Sequence, residues 1–194
     1  MNTNYLESTL RQFAYYKSLG EKAMEQVPDD ALFWQHNAES NSIATIVKHL
    51  WGNMRSRWTD LFTSDGEKPW RAREAEFEND IHTRAELLRL WEEGWTVLLS
   101  TLGSLAPEDL ERIVYIRNQG HTVLEAINRQ LAHYPYHIGQ IVFIGKMWAQ
   151  HWNSLSIPRG GSQQFNEEKF AGAKQKQHFT EDFLEKPRGE SNQS

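Results

Sequence analysis

Apolar side chains between Ile43 and Leu61 recur at three- and four-residue intervals: Ile43, Ile46, Val47, Leu50, Met54, Trp58 and Leu61. That spacing puts them on one side of an α-helix, and the stripe must be buried against something. Three further segments offer matching faces. Thr3 to Gln26 carries Tyr5, Leu6, Phe13, Tyr16, Leu19 and Ala23. Arg84 to Leu102 carries Leu87, Leu88, Trp91, Trp95, Leu98 and Leu99. Thr122 to Trp148 carries Leu124, Ile127, Leu131, Ile138, Ile141 and Val142. Four long amphipathic segments predict an all-α fold, an antiparallel four-helix bundle over residues 1–157.

Turn chemistry divides these segments. Val27-Pro28-Asp29-Asp30 stops the first, and the following ALFWQHNAES reads as a connection. Ser40, Asn41 or Ser42 can cap the second, because each offers an oxygen to a free helix N–H. Asp65-Gly66 and Pro69 end it and open a charged loop over residues 64–78. Ile113–Ile116 followed by Asn118-Gln119-Gly120 predicts a short β-hairpin near 112–121, although a single strand-like excursion fits equally. Residues 158–194 are polar: an irregular strap packed through Phe165 and Phe170, with a mobile last dozen.

Composition excludes several function classes. None of the 194 residues is cysteine, which removes disulfides, thiolate metal sites and a cysteine nucleophile. Net charge is −5 and the 21 basic residues form no long cluster, so nucleic-acid binding is not favoured. The first residues lack a secretory pattern, and no apolar run nears the ~20 residues that span a bilayer. A soluble cytoplasmic protein is expected.

Chemistry concentrates in the histidines. In LAHYPYHIGQ, His133 and His137 lie one helical turn apart, but Pro135 between them lacks an N–H and crowds the preceding turn. A bent helix continuing through the motif is the expectation. Tyr134 occupies the place where a zinc protease motif of the H-E-x-x-H type carries its glutamate, which argues against that class. His49 is the third candidate. At about 100° per residue it sits off the apolar stripe, on a flank with Asn53. Three neutral imidazoles, with one position left for solvent or substrate, form a recurring site for Zn²⁺ or Ni²⁺. Spacing alone leaves three hydrogen-bonded or solvated histidines as an equal reading.

KHLWGN and HYPYHIGQI together resemble the DinB-like, YfiT-type superfamily of small bacterial four-helix bundles, in which one histidine is followed far downstream by H-x-x-x-H-x-G-Q. SNSIATIVKHLWGNMRSRWTDLFTSDGEKPWRAREAEFE and RIVYIRNQGHTVLEAINRQLAHYPYHIGQIVFIGKMW are similar to a branch described only as a domain of unknown function, as is SLSIPRGGSQQFN. The resemblance implies His49, His133 and His137 as ligands of a divalent metal, and commonly a homodimer. It also implies metal-dependent hydrolases, or transferases of low-molecular-weight thiols such as bacillithiol or mycothiol, acting on a small-molecule substrate. The nearest branch supplies no activity. The alternatives are a non-catalytic dimeric bundle with a structural metal or a small-ligand role, and a metal-free interaction domain.

Further residues are candidates for support or substrate contact: Asn53 one turn after His49, Gln140 three residues after His137, and Tyr134 and Tyr136. Arg55, Arg57, Arg71 and Arg73 suggest a cationic rim for a carboxylate or phosphate, unless Asp60, Asp65, Glu67, Glu74 and Glu76 neutralise them. No Asp or Glu stands at a diagnostic offset from the histidines, so no catalytic base is assigned.

Overall fold

The computed structural model describes residues 4–184, and in it the four stripes become four long helices. These are α1 (Asn4–Glu25), α3 (Ile43–Trp58), α4 (Arg84–Gly103) and α5 (Val123–Trp148). Three short helices, α2 (Asp29–Phe33), α6 (Ser162–Ala171) and α7 (Glu181–Leu184), complete a mostly helical fold with one antiparallel pair, β1 (Ile113–Ile116) and β2 (Gln119–Thr122).

Local chemistry accounts for the helix starts. Of the three candidates, Ser42 caps α3, its Oγ accepting the Thr45 N–H at 3.0 Å. Thr122 and Glu125 cap α5 reciprocally: Thr122 Oγ accepts the Glu125 N–H at 3.1 Å, and Glu125 Oε2 accepts the Thr122 N–H at 2.8 Å. Within α5 the chain passes Pro135 without a break, as expected. α3 ends at Trp58 rather than beyond Leu61, because Thr59 is extended and Asp60 turns left-handed at φ 49°.

α3 packs chiefly on α4 and α1 on α5, with α1–α4 and α3–α5 contacts closing the core. Phe13, Trp58, Trp91, Trp95 and Tyr134 fill its centre, each at most 2% exposed. Truncating a Trp or Phe in such a core costs about 3–5 kcal/mol. Leu88 departs from the expected inward set and is 36% exposed, on the outer side of α4.

The connections are more ordered than their composition suggests. The stretch after Pro28 contains α2, which buries Ala31 and Leu32. The charged loop folds back along α3: the Gly66 carbonyl accepts from Ser56 Oγ and Arg57 Nη1, both at 2.5 Å, and Lys48 Nζ donates to the Ala75 carbonyl. The hairpin is present, but its turn is Arg117-Asn118, with Gln119 and Gly120 already in β2. Both turn residues have positive φ, 55° and 59°, the combination that suits a two-residue hairpin turn to strand twist. In the C-terminal extension Phe165 faces Phe183 at 6.5 Å, whereas Phe170 is 85% exposed and does not pack. The chain then returns to α1, where Arg11 pairs with Glu181 at 2.6 Å and Tyr15 meets Phe179 and Phe183. Of the last dozen residues expected to be mobile, Phe183 and Leu184 are in α7, and those from 185 onward lie outside the described residues. No described helix is long and apolar enough to cross a membrane.

Candidate metal centre

α3 and α5 bring the three candidate histidines together. His133 Nε2 lies 3.3 Å from His49 Nε2 and 3.1 Å from His137 Nε2. All three ligand atoms lie within 4.8 Å of one another. Zn–N bonds of about 2.0–2.1 Å in a tetrahedron place neighbouring nitrogens about 3.3–3.4 Å apart, so the two short separations suit one ion.

The opposite ring edges decide the protonation. His49 Nδ1 meets Glu76 Oε2 at 3.0 Å, His133 Nδ1 meets Gln130 Oε1 at 3.2 Å, and His137 Nδ1 meets Gln140 Oε1 at 2.7 Å. Each partner is a side-chain oxygen, Glu76 an obligate acceptor, and that set favours the tautomer with the proton on Nδ1. A neutral imidazole with its proton on Nδ1 has a bare lone pair on Nε2. Three lone pairs then converge without a proton between them, an arrangement that repels unless a cation lies among them. Burial first, then the neighbouring imidazoles and arginines, push His133 down to about 3. Burial pushes His137 down to about 4, despite its bond to Gln140. Both rings are therefore neutral at pH 7 and need lose no proton to bind a metal.

Glu76 ties the charged loop to this centre. Its carboxylate takes Arg71 Nε at 2.6 Å on Oε1, and Arg71 Nη2 at 2.9 Å on Oε2, beside His49. Burial alone would raise its pKa, but the bonds from Arg71 and His49 hold it below the usual carboxylate range. Glu76 reaches His49 because Gly52 leaves room on α3. A Cβ there would overlap Glu76 Oε1 and lie 2.7 Å from its Cδ.

The remaining candidates divide. Asn53 and Arg57 are buried and line the same cavity as the histidines, a space of about 320 Å³. Gln140 bridges outward, its Nε2 donating to Tyr136 Oη at 3.1 Å, and Tyr136 is 62% exposed. Tyr134 does not face a substrate. It is fully buried in the core, donating to Asn53 Oδ1 at 3.0 Å and accepting from Trp58 Nε1 at 3.1 Å, and burial pushes its phenol pKa up. Arg55 turns away from the cavity, to the Trp51 ring at 5.0 Å and Glu93 at 3.2 Å.

Two supports were not foreseen as such from sequence. Gln130 mirrors Gln140, three residues before His133 as Gln140 is three after His137, so Q-x-x-H-x-x-x-H-x-x-Q was a legible helical pattern. Glu76 carried no such signal, being 27 residues from His49 across an irregular loop.

A family model described as a protein of unknown function (DUF1572) matches residues 1–161, and the chain belongs to that family. No curated protein and no solved structure matches it.

Proposed function

We propose that the chain is a divalent-metal protein of the DinB-like kind, its four long helices forming the bundle of that superfamily. The chemistry such a site would serve is hydrolysis of a small molecule or transfer of a low-molecular-weight thiol. One observation carries this reading: three Nε2 atoms converge while every Nδ1 faces a side-chain oxygen. His49, His133 and His137 would hold the ion, and an all-imidazole set suits Zn²⁺ or Ni²⁺. A bound ion of this type supplies Lewis-acid activation, lowering the pKa of water or of an external thiol.

The surrounding residues have separable tasks. Glu76, Gln130 and Gln140 orient the three rings and set their tautomer. Glu76 is occupied on both oxygens, so it is a positioning residue rather than a proton acceptor. Asn53 and Arg57 sit where a ligand in the cavity would meet them. A homodimer is supported by the apolar face that Phe143 and Met147 expose on α5, 66% and 53% accessible.

Elemental analysis of untagged protein tests the site. Stoichiometric zinc or nickel is expected in the parent, with loss in both His49→Ala and His137→Ala. Metal retained by both variants would sink the three-histidine site. Assays of ester hydrolysis against bacillithiol or mycothiol conjugation then separate the two chemistries, and inactivity of the loaded protein in both would favour a structural metal.

A further inference from the structure

The overall charge of the chain is negative, but the cavity beside the histidines is not. Five arginines line it, Arg57, Arg71, Arg73, Arg117 and Arg129, and no acidic residue is among its lining. They come from four separate places: α3, the charged loop, the hairpin turn and α5. The carboxylates behind them are too few to neutralise them. Glu67 alone serves Arg57 at 3.4 Å, Arg71 at 3.5 Å and Arg117 at 3.3 Å. Glu76 is committed to Arg71 and His49, and Glu74, 3.7 Å from Arg73, is 93% exposed. Arg129 has no carboxylate partner among the described residues. Arg57 also has a buried Nε–H without an acceptor.

The hairpin points the same way. Arg117 holds a left-handed backbone at φ 55°, a conformation that asparagine tolerates and arginine rarely adopts. The turn is fastened by Asp65, whose two oxygens accept the Arg117 and Asn118 N–H groups at 2.8 Å each. A residue ill-suited to its backbone, held there with its side chain lining the cavity, is a mark of function before stability.

We infer that this cavity is an oxyanion subsite, in which Arg73, Arg117 and Arg129 receive the phosphate or carboxylate group of a small anionic substrate. The inference rests on the proposed metal chemistry only in naming the anion a substrate. Planar guanidinium groups bind both oxyanions through paired N–H donors. The buried Arg57 and Arg71 are the fixed back of the subsite, 7% and 2% exposed at their side chains, whereas Arg117 at 56% is free to engage a ligand.

Calorimetry at constant ionic strength tests this, with inorganic phosphate and succinate as separate probes. It uses chelator-treated, metal-free protein, so that no anion can be captured by a metal. At least one probe is expected to bind with a Kd of about 1 mM or tighter. Arg117→Asn suits the left-handed turn and removes the charge, and Arg129→Gln changes an exposed side chain. Each should weaken binding about tenfold while leaving thermal stability unchanged or raised. Arg89→Gln, an exposed arginine on α4, should change nothing. Preference for phosphate or for succinate names the head group. No binding of either probe, or equal affinity in the Arg117→Asn/Arg129→Gln double variant, overturns the subsite. Elemental analysis of the same parent preparation before chelation separates that failure from failure of the metal site.

Discussion

Replacing Gly52 with alanine should destabilise this protein, against the sign that helix propensity predicts. In an unencumbered helix the change gains about 1 kcal/mol. Gly52 lies inside α3, but its missing Cβ is the space in which Glu76 rests. The added atom would overlap Oε1 and lie 2.7 Å from Cδ and 3.2 Å from Cγ. A glutamate end can ordinarily swing aside. This one is held by Arg71 and His49 and is almost fully buried. Moving it strands a buried guanidinium, and breaking a buried ion pair costs about 3–5 kcal/mol. Set against the propensity gain, the net loss is about 2–4 kcal/mol. Because the carboxylate also orients His49, metal affinity should fall about 10- to 100-fold. Urea denaturation of the metal-free protein reads the first effect, and competitive zinc titration with a chromophoric chelator the second. Gly139→Ala is the control: this glycine is also inside a helix, yet a Cβ added there would meet nothing within 4 Å. It should gain about 1 kcal/mol with zinc affinity unchanged. If Gly52→Ala stabilises as Gly139→Ala does and binds zinc as the parent does, the coupling of Glu76 to His49 through this close approach is wrong.

Two further outcomes follow from contacts away from the histidines. Thr122→Ala removes half of the reciprocal cap on α5 and should cost about 1 kcal/mol in urea denaturation, with zinc affinity unchanged. Asp65 accepts N–H groups from Glu67, Arg117 and Asn118; desolvation opposes ionisation, but those bonds and nearby Arg57 hold its pKa below 3.8. With the folded pKa depressed, the unfolded chain takes up the proton first on acidification, so the carboxylate's contribution is present above pH 3.8 and fades below it. Asp65→Asn should therefore be less stable than the parent at neutral pH, and the gap should narrow as pH falls below about 4. A gap that stays constant down to pH 3 would contradict this linkage.

Much of the helical layout was legible because its causes are local. The stripe from Ile43 to Trp58 follows from helical periodicity; the Thr122–Glu125 cap and Gln130, equally local, were not singled out in the sequence. His133 and His137 share a face for the same reason, and Pro135 does not separate them because one lost N–H is a small fraction of a helix of 26 residues. The turn residue was misplaced by sequence because Asn118-Gln119-Gly120 offers good turn chemistry, whereas the fold puts Arg117 in the left-handed position and fastens it from Asp65.

Sequence by itself determined that long amphipathic helices form, where they start, and that two imidazoles lie one turn apart, since each depends on residues a few positions away. Only the tertiary structure decided that His49 joins that pair, that Glu76 crosses an irregular loop to lock its ring, and that arginines from four segments enclose one cavity. Those juxtapositions depend on how α3 packs against α5 and how the loop closes over Gly52, and no periodicity encodes such distances.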